Sequence, residues 1–126
     1  MKPTVLHIED NPDNMMLIRR ILQPDCYNLI ESKTGAQGLE IAENQDIDLI
    51  LLDINLPDID GYEVTRRLRA STKTTLALTP IIVVTANAMK GDAQKALAAG
   101  CNVYMSKPIN IQELLDKVEH FTYKEA

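Results

Sequence analysis

The sequence has no tryptophan, one phenylalanine and only two cysteines in 126 residues. Cys26 and Cys101 lie far apart, without CxxC spacing and without a neighbouring cluster of Cys or His. That excludes a disulfide framework and a thiolate metal centre, and leaves two reduced thiols, Cys101 at a helix end. Basic charge is also short. Thirteen Lys and Arg face eighteen Asp and Glu, for a net charge of -5. Binding to phosphate backbones needs a concentrated positive patch, so a nucleic-acid partner is not expected. The one basic cluster, Arg66, Arg67, Arg69 and Lys73, reads as a solvated helix face. No apolar stretch approaches the roughly 20 residues that span a bilayer, so no membrane partner is expected. The N-terminus carries no signal-peptide pattern, and a cytoplasmic location is expected. Repeats, low-complexity tracts and linkers are absent.

What is present is ordinary globular composition, 45% hydrophobic and 25% charged. At roughly 100–200 residues per domain, residues 1–126 form a single domain with its own core. Five apolar runs alternate with helical patterns. They are Thr4 to Ile8, Tyr27 to Glu31, Leu49 to Leu52, Ile81 to Val84 and Asn102 to Met105. The third and fourth are continuous apolar blocks, the mark of strands buried on both faces of a parallel sheet. The second and fifth are weaker and are expected at the sheet edges. Asn11-Pro12 places a cap before a proline at the first helical position. Thr34 to Gln37, Asp60 to Glu63 and Asn110 to Glu113 have capping-box spacing. Leu17, Ile18, Ile21 and Leu22 form one apolar stripe, and Ile111, Leu114, Leu115 and Val118 another. Pro24 and Gly100 mark helix ends. The fold class is therefore α/β, a doubly wound (βα)5 domain with a parallel sheet and helices on both faces.

In such folds ligands bind at the carboxyl ends of the strands. The first strand ends in Glu9-Asp10, the third in Asp53 and the fourth in Thr85-Ala86, and the fifth is followed by Lys107-Pro108. Converging on one rim, three carboxylates repel unless positive charge is supplied. Lys107 supplies one charge and a divalent cation the rest. All-oxygen ligation selects Mg²⁺, with Mn²⁺ as a substitute. Asp13, Asp25, Asp46 and Asp58 read as caps and solvated loop charges. Met15, Met16, Met89 and Met105 read as core or groove fillers. His7 reads as a structural histidine and His120 as a surface one.

These motifs resemble the receiver domain of two-component response regulators, the family that includes the chemotaxis regulators. The resemblance runs from Val5 to about His120. It rests on Glu9-Asp10-Asn11, on Leu51-Leu52-Asp53-Ile54-Asn55-Leu56-Pro57 and on Asp60-Gly61. Val83-Val84-Thr85-Ala86 and Tyr104-Met105-Ser106-Lys107-Pro108 complete it. It implies a flavodoxin-like strand order 2-1-3-4-5 and a phosphoacceptor at Asp53. Mg²⁺ would be held by Asp10, Asp53 and the backbone carbonyl of Asn55, with Glu9 acting through water. Lys107 and Thr85 would contact the phosphoryl oxygens, and small Ala86 would leave them room. Asn55 and Asn87 would flank the route of an attacking water. Lys107-Pro108 would be a cis peptide. Thr85 and Tyr104 would form a switch, Tyr104 turning inward on phosphorylation. Output would pass through the helix before the fifth strand, that strand and the last helix.

The implied partners are a sensor histidine kinase or histidine phosphotransfer protein and a downstream protein target. A monomer is expected, dimerising, if at all, on phosphorylation. The chain is not expected to be an enzyme beyond assisting its own phosphorylation and dephosphorylation. A dehalogenase-type aspartyl-phosphate hydrolase needs a second aspartate two residues after its nucleophile, and Asn55 stands there. A flavodoxin-like cofactor binder fails because Glu9-Asp10-Asn11-Pro12-Asp13 is not a Ser/Thr/Gly phosphate cradle. A receiver-like module working without phosphorylation remains an alternative. So does a receiver excised from a hybrid kinase, although Met1 close before the first strand favours a stand-alone protein.

Overall fold

Five parallel strands form one sheet in the order β2-β1-β3-β4-β5 in the computed structural model, which describes residues 2–86 and 91–123. The strands are β1 (Thr4–Ile8), β2 (Asn28–Ser32), β3 (Leu49–Asp53), β4 (Ile81–Thr85) and β5 (Val103–Ser106). The helices are α1 (Pro12–Ile21), α2 (Gly35–Asn44), α3 (Gly61–Arg69), α4 (Thr74–Ala77), α5 (Asp92–Ala99) and α6 (Ile111–Thr122). Every residue of β3 and β4 is buried, as their continuous apolar runs require. The weaker β2 and β5 are the edges, each one residue later than their apolar runs suggest. The four-residue α4 has no counterpart in the sequence reading, because one turn is too short to show a period.

The helices begin where their caps stand. The Asn11 side chain accepts from the Asp13 and Asn14 amides, and Thr34 accepts from Gln37 N. Asp60 accepts from Glu63 N, and Asn110 from Glu113 N. Each bond satisfies a first-turn donor that the helix itself leaves unpaired. Gly61 then brings α3 against the end of β3. A Cβ there would lie 2.7 Å from Ile54 Cα and 2.8 Å from the Asp53 carbonyl oxygen. Its amide donates to Ile54 O at 2.9 Å, which pins the loop carrying Asn55.

Strand alternation sends side chains to two cores. Leu6, Ile8, Ile50, Leu52, Ile81 and Val83 pack with Val64, Leu68 and Ala96 on one face. Val5, Leu49, Leu51, Ile82 and Val84 pack with Ile18, Leu114 and Val118 on the other. Ile111 falls outside the apolar stripe expected of it and is 52% exposed; the buried stripe of α6 starts at Leu114. Met15 and Met105 are core fillers, but Met16 is 46% exposed. Met89 and Asn87 lie outside the described residues. Among the described residues, no helix is long and apolar enough to cross a membrane.

The basic cluster divides. Arg66 and Arg67 are exposed and pair with Glu63, as a solvated face would. Arg69 is different. Its guanidinium donates to the carbonyls of Gly100, Ala77 and Thr79 and to Asn102 Oδ1, at 2.6–3.1 Å. It thereby ties the end of α3 to α4, to the start of β4 and to the turn between α5 and β5. Gly100 has φ 119°, and a Cβ there would meet Arg69 Cγ at 2.7 Å. Lys73 likewise caps α2, with Nζ 2.8 Å from Gln45 O and 3.2 Å from Ala42 O. Both residues are structural staples.

Arg69→Met keeps the aliphatic stem and strands three carbonyls, so we expect a loss of roughly 2–3 kcal/mol in urea unfolding. Arg67→Met should leave the unfolding midpoint nearly unchanged. A second expectation concerns the thiols. Cys26 is exposed, and Cys101 is buried, with its thiol pushed up to about 11 by burial. Ellman's reagent should titrate one thiol quickly in the native protein at pH 7 to 9 and two in denaturant.

Candidate functional site

The parallel register carries the carboxyl ends of β1, β3 and β4 to one rim. His7 pairs with Leu51 and Ile8 with Leu52; Leu52 pairs with Val83 and Asp53 with Val84. The chain runs from β1 to β2 on one side and returns to β3 on the other, so the rim between β1 and β3 is the switch point of the order. Glu9, Asp10 and Asp53 converge there, each offering an oxygen within 4.8 Å of the others. Glu9 and Asp53 are buried and Asp10 is exposed.

Among the described residues, Lys107 is the cation that pairs with this group. Lys107 Nζ donates to Glu9 Oε1 at 2.9 Å and stands 3.6 Å from Asp53 Oδ2. The lysine is placed by its own backbone, because Lys107 N donates to Thr85 O at 2.8 Å. The Lys107–Pro108 peptide is cis, as the resemblance implied. Glu9 Oε2 accepts from Asn11 N at 3.2 Å, and Asp53 Oδ1 accepts from Asn55 N at 3.2 Å. Burial holds the Glu9 carboxyl above its ordinary range, and the Lys107 hydrogen bond opposes that push. Three carboxylates beside one ammonium among the described residues leave the site short of positive charge, and their oxygens fit a hard divalent cation.

Thr85, Ala86 and Asn55 take up the same end of the molecule, and Asn87 lies outside the described residues. Thr85 is buried at the end of β4, and Ala86 follows it in an exposed bend. Asn55 is exposed on the loop after β3. Tyr104 pairs with Val83 in the sheet and packs against the α3 side of the core. Its hydroxyl is buried with no hydrogen-bond partner among the described residues, and burial raises its pKa, with Asp92 adding to the effect. The structure thus shows the Tyr104 hydroxyl already sheltered.

Two features escaped the sequence reading. Asp58 is a cap, as expected of it, but for a helix far back in the chain. It accepts from the amides of Gly35 and Ala36 at 2.8 and 2.9 Å, and these bonds hold its carboxyl below the usual range. It therefore ties the β3–α3 loop to the start of α2. His7 is buried, as a structural histidine should be, yet its Nδ1 has no partner among the described residues. Burial pushes its pKa down to about 4, against the pull of Glu31, so the ring is neutral at pH 7. The only sequence signal was a polar residue between Leu6 and Ile8.

A doubly wound sheet with this acidic rim and one lysine defines a class, and the comparisons place the chain within it. The response regulator receiver domain matches residues 5–119. The polar-differentiation response regulator DivK of Brucella ovis is 37% identical over 121 residues, 96% of this chain and 97% of that protein. The receiver domain of the sensor histidine kinase PA1611 of Pseudomonas aeruginosa, solved with a magnesium ion coordinated in its active-site cleft, superposes with a TM-score of 0.86. It is 37% identical, with 96% of this chain and 98% of that one covered. The Saccharomyces cerevisiae Ssk1 receiver, solved with the histidine phosphotransfer protein Ypd1, has a TM-score of 0.87 and 28% identity over 97% and 90% of the two chains. The chain belongs to the response regulator receiver family of two-component systems.

The charge imbalance can be read in a melting experiment. Asp10→Asn should raise the melting temperature of the metal-free protein, since it removes one of three crowded carboxylates. Mg²⁺ should raise the melting temperature of the wild type by mass action and that of Asp10→Asn much less. An equal Mg²⁺ increment in both would remove Asp10 from the metal site.

Proposed function

We propose that this protein is a phosphorylation-driven signalling switch that accepts a phosphoryl group on Asp53. The observation that carries this reading is the convergence of Glu9, Asp10 and Asp53 within 4.8 Å beside Lys107. A carboxylate oxygen of Asp53 attacks the phosphorus of a phosphohistidine in line. The O–P bond forms as the P–N bond breaks, and the imidazole leaves with the electron pair and is protonated from solvent. Such a transfer asks the protein for position and for neutralisation of the equatorial oxygens. Asp10, Asp53 and the Asn55 carbonyl would hold Mg²⁺, with Glu9 behind a water. The ion, once bound, supplies the charge that the rim lacks. Mn²⁺ would serve in its place.

Lys107 leaves Glu9 and takes a phosphoryl oxygen as a point charge. Thr85 offers its hydroxyl to another, and Ala86 leaves room for the group. Asn55 flanks the path of the hydrolytic water, a role also assigned to Asn87, which lies outside the described residues. Phosphorylation adds roughly -1.5 to -2 charges at neutral pH, so it reorganises the rim. Thr85 and Tyr104 pass that change to α5, β5 and α6, and the output is protein–protein contact rather than catalysis. The donor is a sensor histidine kinase or a histidine phosphotransfer protein, a reading supported by the Ypd1 complex of the Ssk1 receiver. We place the protein in the cytoplasm, as a monomer before phosphorylation. DivK and the PA1611 receiver are equally similar to the chain, so both a stand-alone regulator and a kinase-linked receiver agree with it.

With no tryptophan to report the site, intact-mass spectrometry after incubation with acetyl phosphate is the direct test. We expect one labile, Mg²⁺-dependent phosphoryl adduct in the wild type and none in Asp53→Asn. An adduct that persists in Asp53→Asn, or none in the wild type, would end the proposal.

A further inference from the structure

We propose that one buried water beneath the acidic rim joins His7 Nδ1 to Lys107, and that His7 is thereby a positioning residue for the lysine. The inference rests on the phosphoacceptor reading of the site but concerns a residue that reading does not use. A small cavity of about 10 Å³ lies under the rim, bordered by His7, Glu9, Asn14, Asp53 and Lys107 among apolar neighbours. That is the space of a single water, and a water is held in such a place only by two or more polar partners. His7 is 5% exposed, and its Nδ1 finds no hydrogen-bond partner among the described residues. A buried polar atom left unpaired is costly, so the cavity that His7 borders is where a donor to it is placed.

Lys107 provides the other end. An ammonium has three N–H donors. Glu9 Oε1 takes one at 2.9 Å, and Asp53 Oδ2, at 3.6 Å, lies in the direction of a second. The third has no acceptor among the contacts of Lys107 in the described residues and is available to the cavity. A water there accepts from Lys107 and donates to His7. The ammonium is then linked to the cavity as well as to Glu9, which limits its rotation about the last side-chain bond. That keeps one N–H aimed at Asp53, where a phosphoryl oxygen is to arrive. Without the water link, the lysine is held mainly by Glu9 and has no second contact to guide its turn toward the phosphoryl oxygen.

Two substitutions separate this role from simple packing. His7→Leu fills similar space with no polar atom, and His7→Asn keeps a polar atom near the position of Nδ1. We expect phosphorylation by acetyl phosphate at saturating Mg²⁺ to slow by about three- to tenfold in His7→Leu, the size of one ordinary hydrogen bond lost. His7→Asn should stay within about twofold of the wild type, and all three proteins should bind Mg²⁺ alike, because His7 is no ligand. A wild-type rate in His7→Leu, or an equal loss in both variants, overturns the proposal. If His7→Leu does not fold, water–protein NOE spectroscopy on the wild type decides. A long-lived water seen at the His7 ring supports the link, and a dry cavity overturns it. Failure of the wild type to form any adduct would instead refute the phosphoacceptor reading, and the NOE experiment would still report on the water.

Discussion

The ion pair between Lys107 and Glu9 is the contact on which the rest of the site depends. Two buried carboxylates and a third at their edge occupy one rim, and among the described residues a single ammonium stands with them. Removing charges from water is costly unless they are paired, so this rim holds together only while Lys107 stays in place. In the proposed function, this contact is the one that phosphorylation would exchange. Lys107 is closer to Glu9 than to Asp53, and under the proposed function positive charge brought to the rim would let the lysine turn from one carboxylate to an incoming phosphoryl oxygen.

The fold delivers these groups by register. Glu9, Asp53 and Thr85 stand at the ends of neighbouring strands, and the Lys107 amide is bound to the Thr85 carbonyl across the β4–β5 seam. Gly61 and Asp58 hold the β3–α3 loop from two directions, through Ile54 and through the start of α2. On the far side, Arg69 fastens α3 to the turn that leads into β5. Tyr104 belongs to that strand, so the element expected to carry the signal is anchored at its start and meets the rim at its end.

Much of this was legible in the sequence. The unbroken runs Leu49–Leu52 and Ile81–Val84 announced strands covered on both faces, and Asn11, Thr34, Asp60 and Asn110 each opened the helix they were expected to open. The rim residues were legible because each ends its own strand. What local pattern could not show were bonds between distant segments. Arg69 and Lys73 looked like solvated charges because their carbonyl partners lie elsewhere in the chain. Ile111 matched a helical period but falls in the first turn of α6, beyond the cover of the sheet. The choice of Glu9 by Lys107 and the orphaned nitrogen of His7 are properties of three-dimensional packing. Periodicity carries no record of either.

The most direct measurement is a crystal structure of the wild type grown with Mg²⁺ and beryllofluoride, a stable mimic of the phosphoryl group. The account predicts beryllofluoride bonded to an Asp53 oxygen, Mg²⁺ ligated by Asp10, Asp53 and the Asn55 carbonyl, and Lys107 moved from Glu9 onto a fluorine. An unmodified Asp53 with Lys107 still on Glu9, in crystals saturated with both reagents, would contradict it.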